Sequence, residues 1–111
     1  ITMNSAVDFA IDIEKLRASA NQAAKMMHVL ANPDRLLLLC QISLGERSVS
    51  QLEEQTGIMQ PTLSQQLGVL RKENIVHTRR DGTYIYYSVA DKSAMAILHA
   101  LYQEYCQPNN S

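Results

Sequence analysis

Two cysteines carry the most distinctive chemistry of this chain of 111 residues. Cys40 and Cys106 lie far apart in the sequence, and the chain has no Cys-x-x-Cys pair. Two cysteines are too few for a disulfide-stapled secreted scaffold, and the missing Cys-x-x-Cys argues against a zinc or thioredoxin-type site. From their number alone, we expect two structural thiols buried in a protein core.

A second group of residues has the chemistry to recognise DNA. Short hydroxyl and amide side chains crowd the start of a predicted helix, where they suit hydrogen bonds to phosphates and to base edges in a major groove: Gln60, Thr62, Ser64 and Gln65. Gln can read adenine or bridge to other bases in this way, whereas Ser64 could equally face a neighbouring helix. Arg79 and Arg80 follow in a predicted hairpin. Because side chains alternate along a strand, we expect at most one of these arginines to be a primary DNA contact.

The distribution of charge supports this interpretation. The chain has 10 Lys and Arg against 11 Asp and Glu, so it is no histone-like polycation. Residues 59–89 nevertheless carry four basic side chains against two acidic ones. Neutralisation of DNA phosphates requires such a basic segment on the polar helix and hairpin. The alternative is an ordinary solvated face.

Composition and motifs exclude several classes of protein. With 46% hydrophobic and 19% charged residues, the chain is expected to fold as one globular domain. No apolar run approaches the roughly 20 residues of a membrane span, and acidic side chains at positions 8, 12 and 14 do not fit a signal peptide. We therefore expect a cytoplasmic protein without a membrane partner. No phosphate-binding glycine loop, acid–base carboxylate pair or nucleophile–His–acid set indicates an enzyme or a cofactor.

Hydrophobic spacing predicts two helices in the first part of the chain. Residues 12–30 repeat apolar side chains every three or four positions, which is typical of an amphipathic helix. Asn32-Pro33 predicts an N-cap and the first position of a second helix over 33–44. This second helix is apolar on nearly all sides, as a central helix would be, and Gly45 ends it.

The middle of the chain predicts a helix-turn-helix over residues 50–73. Ser50 and Glu53 have the spacing of a capping box at the start of a short helix that ends at Gly57. Pro61 begins a second helix, and Asn74 is expected to end it in a left-handed conformation.

The remainder of the chain predicts a wing and a last helix. The β-rich runs IVHTRR and TYIYYSV, within residues 75–89, are joined by the turn signal Asp81-Gly82. A helix follows from about Asp91 to Cys106. The fold class is therefore mainly α with a small β-hairpin, a single winged helix-turn-helix domain over 1–111 in the order α-α-α-α-β-β-α. We expect residues 1–11 to be flexible.

The run SVSQLEEQTGIMQPTLSQQLGVLRKENIVHTRRDGTYIYYSV resembles the ArsR/SmtB family of winged helix-turn-helix repressors. The preceding LANPDRLLLLCQI is similar to that family's Leu-x-x-Pro-x-Arg-Leu-x-Ile-Leu pattern, and the resemblance covers about residues 12–106. It implies a homodimer that binds double-stranded operator DNA and releases it when an effector occupies a sensing site. We expect helices over 12–31 and 91–106 to form the dimer interface, through apolar residues in excess of one small core: Leu16, Ala20, Ile97, Leu98 and Leu101.

The metal sites of the family are not matched. Its thiol-rich site uses a Cys-x-Cys pattern before the turn, where this chain has residues 46–50 without cysteine. Its terminal-helix site uses an Asp-x-His pair, but Asp91 is followed by Ser93, and His99 has Tyr102 three positions on. The resemblance therefore gives no reason to expect a metal ion.

The two cysteines gain a role from a closer resemblance. QPTLSQQLGVLR, the cysteine of the second helix and the Tyr102-x-x-x-Cys106 ending are similar to a sulfide- and persulfide-responsive branch of the family, which includes regulators of biofilm growth, sulfide oxidation and haemolysin production. In that branch a cysteine pair is oxidised to a disulfide or polysulfide bridge. The resemblance implies that reactive sulfur species bridge Cys40 and Cys106 and so release the operator.

Other readings of the cysteines stay open. One is a redox- or metal-responsive repressor that uses the same thiols differently. Another is a counter-silencer that acts as a transcriptional activator without an inducer. The third is a pair of unrelated buried thiols.

Overall fold

The computed structural model describes residues 12–106, so the segment 1–11, which we expected to be flexible, lies outside the described residues. Its elements are α1 Ile13–Leu30, α2 Pro33–Ser43, β1 Arg47–Ser48, α3 Val49–Thr56, α4 Thr62–Lys72, β2 Val76–Asp81, β3 Tyr84–Val89 and α5 Lys92–Leu101, followed by a π-helical turn, Tyr102–Cys106. The last helix thus changes its winding at Tyr102 instead of continuing as an α-helix to Cys106. None of the described helices combines the length and apolar character needed to cross a membrane.

The second helix, α2, is the centre of the domain, as its apolar sequence predicts. The Asn32 side chain accepts a hydrogen bond from the backbone N–H of Arg35, and Pro33 takes the first helical position. Leu38, Leu39 and Ile42 are buried. The helix contacts α1, α3, α4, α5 and β3, so a movement of α2 acts on nearly every other element.

The capping box of α3 lies two residues earlier than predicted. Ser48 is the N-cap: its hydroxyl accepts from the N–H of Gln51, and the Gln51 side chain accepts from the N–H of Ser48 at 2.8 Å. The proposed Ser50–Glu53 box is therefore wrong. The reason is strand β1, in which Ser48 pairs with Tyr86 and from which the chain turns directly into the helix. A strand of two residues is too short to leave an alternating pattern in the sequence.

The wing is a three-stranded antiparallel sheet in the order β1-β3-β2. Arg80 pairs with Ile85 and Asp81 with Tyr84, so the two loop residues are Gly82 and Thr83 instead of the predicted Asp81-Gly82. Gly82 has a φ of 65° and takes the first loop position, where a two-residue hairpin of type II′ places its glycine. The hairpin itself is confirmed, with its turn moved by one residue.

The core forms where α2, α3, α4 and α5 meet, and its fully buried large side chains are Leu38, Leu39, Leu52, Leu63, Leu67 and Leu70. Leu98 of α5 is only 4% exposed and belongs to this core. Its predicted place in a dimer interface is therefore wrong, because one protomer already covers it. Ile97 also packs against the core, whereas Leu16 and Ala20 on α1 are exposed.

Candidate functional site

Helix α4 divides into a core face and an outer face. Leu63, Leu67 and Leu70 recur every three or four residues and are buried, which fixes the rotation of the helix on the domain. The opposite face is exposed along its length and consists of Ser64, Gln65, Gly68, Arg71 and Lys72. The polar start and basic end of α4 are therefore both accessible to a partner.

The four polar residues predicted as DNA contacts lie together at the start of α4. Thr62 is half-buried at the first helical position, and Gln65 is exposed one turn later. The Gln60 side-chain oxygen accepts hydrogen bonds from Ser64, one from its backbone N–H at 3.1 Å and one from its hydroxyl at 2.7 Å. Ser64 is exposed and does not face a neighbouring helix.

The two arginines of the wing have different surroundings. Arg79 donates two hydrogen bonds of 2.8 Å to the carboxylate of Glu46, and its guanidinium lies 4.8 Å from the centre of the Tyr86 ring. The Glu46–Arg79 hydrogen bonds lower the pKa of Glu46 and raise that of Arg79. Among residues 12–106, the one contact of the Arg80 side chain is a long one of 3.5 Å to the carbonyl of Gly82. Arg79 is thus held on the protein, while Arg80 is available to solvent or a partner.

Sequence reasoning missed the residues that connect α2 to these surfaces. Arg35 of α2 donates to the side-chain oxygen of Gln66 on α4 at 2.8 Å and to the carbonyl of Val29 at the end of α1. Glu46, in the loop between α2 and β1, forms an ion pair with Arg79 of β2. The Arg in the Pro-x-Arg-Leu pattern was the available signal for the first connection, since a charged side chain in an apolar helix needs a partner.

Cys40 on α2 and Cys106 on the π-helical turn are both free and exposed. The expectation of two buried thiols is therefore wrong. Partial desolvation of Cys40 and, second, the negative charge of the Cys106 thiolate raise the pKa of Cys40.

Metal ligands do not gather around these thiols. Between residues 12 and 106, no group of three or more His, Cys, Asp or Glu side chains is arranged to hold a metal ion. The candidate functional features are therefore the outer face of α4, the wing arginines and the thiol pair.

Comparison with known proteins identifies the family. The family model described as "Bacterial regulatory protein, arsR family" matches residues 32–78. The biofilm growth-associated repressor of Xylella fastidiosa is 46% identical over 93 residues, which cover 84% of this chain and 82% of that protein. The chain belongs to the arsR family.

Solved structures of other proteins share the fold of this arsR-family regulator. The transcriptional repressor BigR from Xylella fastidiosa superposes with a TM-score of 0.78 at 44% identity, covering 88% of this chain and 97% of BigR. Reduced HlyU from Vibrio cholerae gives 0.81 at 29% identity, covering 85% and 99%. A homodimeric winged helix-turn-helix DNA-binding domain from Mycobacterium bovis gives 0.66 at 26% identity, covering 100% and 98%. The predicted winged helix-turn-helix fold is confirmed.

Proposed function

We propose that this arsR-family chain is a homodimeric repressor that binds double-stranded operator DNA and releases it when reactive sulfur species join Cys40 to Cys106. The observation that carries the proposal is the pair of free, exposed thiols, one on α2 and the other on the C-terminal turn. The relation to the biofilm growth-associated repressor supports repression as the output.

An exposed apolar face on α1 supports the dimer. Ile13, Leu16 and Met27 are 39%, 42% and 54% exposed, although they lie on one side of an amphipathic helix. Met95 and Tyr102 add exposed apolar surface at the other end of the described chain. Apolar surface of this kind is typical of a face that another subunit covers, and the related domain from Mycobacterium bovis is homodimeric.

The outer face of α4 suits a DNA major groove. In winged helix-turn-helix domains, polar side chains at the start of the second helix of the helix-turn-helix, which is α4 here, contact base edges. A two-fold dimer spaces two such helices by about one DNA turn, roughly 34–36 Å. Thr62 and Gln65 then contact bases, and Arg80 on the wing neutralises a phosphate. Arg79 is not needed for DNA in this arrangement, because Glu46 already pairs with it.

The sensing chemistry begins with a thiolate and a persulfide, RSSH. The Cys106 thiolate attacks the outer sulfur, giving Cys106–S–SH and the thiolate RS⁻ as the leaving group. The Cys40 thiolate then attacks Cys106 Sγ, which breaks the Sγ–SH bond, forms the Cys40–Cys106 disulfide and expels HS⁻. If a second RSSH reacts with Cys106–S–SH before Cys40 attacks, the final bridge is longer by one sulfur and a second RS⁻ is released. In each case the two thiols lose two electrons together, and the sulfane sulfur that leaves as HS⁻ gains them.

Two features favour Cys106 as the first nucleophile. It lies on a turn without buried residues, where an incoming persulfide has free access. Cys40 has a raised pKa and is therefore less ionised near neutral pH. A direct disulfide needs Cα atoms about 4.4–6.8 Å apart, and inserted sulfurs relax that limit, so a pair too far apart for closure by peroxide can still be bridged by sulfane sulfur.

Bridge formation reaches the DNA-binding surface through α2. The Arg35–Gln66 hydrogen bond joins α2 to α4, and the Glu46–Arg79 ion pair joins the loop that follows α2 to strand β2 of the wing. A covalent link from Cys40 to the C-terminal turn biases the position of α2 and, through these contacts, of both DNA-binding elements. A coupling of about 1–3 kcal/mol between bridge formation and DNA binding is the usual size of such an effect.

The decisive experiment combines intact-mass spectrometry with operator binding. The reduced protein is treated separately with a persulfide donor, hydrogen peroxide and a disulfide donor, and its mass and its affinity for operator DNA are measured. We expect persulfide to produce an intrachain bridge and to release the DNA. Cys40→Ser and Cys106→Ser proteins should bind operator when reduced but should not be released. Release of Cys106→Ser protein by persulfide to the parent's extent would contradict the proposal.

A second output is transcriptional activation by displacement of another regulator. Transcriptional activator HlyU of Vibrio cholerae is 28% identical over 99 residues, and the reduced HlyU structure superposes at a TM-score of 0.81. Deletion of the gene separates the two outputs. A repressor's targets rise in the deletion strain, and an activator's targets fall.

A further inference from the structure

The Gln60 amide is held in one orientation by Ser64. Within the Gln60 side-chain amide, the oxygen accepts hydrogen bonds and the NH₂ group only donates them. The hydrogen bond of 3.1 Å from the Ser64 N–H therefore assigns the accepting atom as Gln60 Oε1. The Ser64 hydroxyl donates to the same oxygen at 2.7 Å. Both acceptor sites of Oε1 are then occupied, and the side-chain NH₂ remains as a donor on an exposed side chain.

We propose that Gln60 reads DNA as a hydrogen-bond donor only, and that it selects a base whose major-groove edge offers acceptors alone, guanine or thymine. Ser64 is a positioning residue for this contact and does not itself touch a base. The inference rests on the proposed binding of DNA by the start of α4. It replaces the adenine contact expected from a free glutamine side chain.

The base code gives the physical reason. Adenine is read by a glutamine that accepts from N6 and donates to N7, so it needs the amide oxygen and the NH₂ together. Guanine presents N7 and O6, and thymine presents O4, all of which accept a hydrogen bond from an NH₂ group. Cytosine presents an N4 donor and would face a donor on Gln60. To read adenine, Gln60 must release its bonds from Ser64, each of which is worth about fivefold in an equilibrium constant.

The test is a selection of duplex DNA from a random pool by the reduced parent protein and by matched variants. For the parent, we expect one position in each half-site to prefer guanine or thymine. Replacing that base should weaken binding about fivefold, and the same replacement should have no effect on Gln60→Ala protein. A dependence of this kind separates base reading from a general effect on affinity.

Three substitutions separate the roles of Gln60 and Ser64. Gln60→Glu keeps an oxygen that accepts both bonds from Ser64 but has no donor, so the preferred base should change to cytosine. Ser64→Ala removes the hydroxyl bond, and adenine should become tolerated at the same position. Ser64→Thr keeps a hydroxyl and should restore the parent's preference, which a merely structural role for Ser64 would not predict.

Two outcomes overturn the inference while leaving the proposed function intact. The first is a parent preference for adenine at the position that depends on Gln60. The second is an equal loss of affinity for all sequences in Gln60→Ala protein, which would assign Gln60 to a phosphate. If the reduced parent selects no sequence and binds no duplex, the proposed function fails, and this inference fails with it.

Discussion

Arg35 Nη1 donates a hydrogen bond of 2.8 Å to the side-chain oxygen of Gln66, joining the central helix to the helix whose outer face is exposed for DNA. The same guanidinium donates to the Val29 carbonyl at the end of α1. One side chain therefore connects the helix with the exposed apolar face, the helix of Cys40 and the helix of the proposed base contacts. This connection makes the angle of α4 depend on the position of α2.

Removal of the Gln66 partner should weaken this connection selectively. We expect Gln66→Ala to lower the free energy of unfolding by about 1.5 kcal/mol, since it leaves a partly buried guanidinium with one bond fewer. The Arg35→Ala and Arg35→Ala/Gln66→Ala proteins complete a double-mutant cycle in urea unfolding. A coupling energy near zero would mean that the hydrogen bond does not hold the two helices together.

The wing arginines should differ in the salt dependence of DNA binding. Arg80→Ala is expected to reduce the slope of log K against log salt by about 1 per protomer, because one phosphate contact is lost. Arg79→Ala should change that slope much less, since Glu46 already neutralises Arg79. Titrations at several salt concentrations compare the two variants. An unchanged slope in Arg80→Ala protein would exclude a phosphate contact by the wing.

Alkylation of Cys40 should require a higher pH in the folded protein than in the unfolded chain. The raised pKa of Cys40 means that, at a given pH, a smaller fraction of this thiol is ionised than of an ordinary thiol. In Cys106→Ser protein, the alkylation midpoint should fall but stay above that of the unfolded chain, because desolvation is the larger cause. Iodoacetamide rates measured by mass spectrometry against pH test this order. Identical midpoints for folded and unfolded parent would contradict it.

Gly68→Ala should increase stability and decrease DNA affinity. Gly68 lies in the interior of α4, and a Cβ placed there would meet no atom within 4 Å. A helical glycine costs about 0.5–1 kcal/mol relative to alanine, so the free energy of unfolding should rise by that amount. If α4 lies in a major groove, the added methyl group on its outer face should weaken operator binding severalfold. Greater stability with unchanged DNA binding would show that position 68 does not approach the DNA.

A charged side chain introduced on the apolar face of α1 should disrupt the proposed dimer. Leu16→Glu should produce a monomer at micromolar concentration in sedimentation, because it puts a carboxylate into the proposed interface. Ala18→Glu is the matched control, since about 200° of helix rotation separates it from Leu16 and places it on the other side. Ala18 is also exposed. Equal behaviour of both variants would argue against this face as the interface.

Most of the helices and the hairpin could be predicted from the sequence, because their local sequence signals are strong. Asn32-Pro33, Gly57 and Asn74 mark helix ends where the structure has them, and the leucines of α2 and α4 define the core. Strand β1 and the capping box at Ser48 were missed, because their geometry is set by pairing with Tyr86 far along the chain. Local patterns do not contain such a long-range contact.

The site was predictable in its residue types but not in its partners. Both cysteines, the polar start of α4 and the wing arginines stand out in the sequence. Two of the contacts depend on tertiary structure, namely the ion pair of Arg79 with Glu46 and the hydrogen bond from Arg35 to Gln66. The hydrogen bonds from Ser64 to Gln60 are local, but the residue types alone did not predict them. Leu98 was assigned to an interface because a wide apolar stripe does not tell which of its members face the protomer's own core.

The π-helical turn that carries Cys106 has a consequence for how such regulators diversify. None of its residues is buried, and substitutions at exposed positions usually change stability by less than about 0.5 kcal/mol. Mutations in this turn, apart from Tyr102 in the proposed dimer face, can therefore accumulate without unfolding the domain. Under the proposed function, a lineage can exchange one inducer for another through a few substitutions in this turn, while the DNA-binding surface of α4 stays the same.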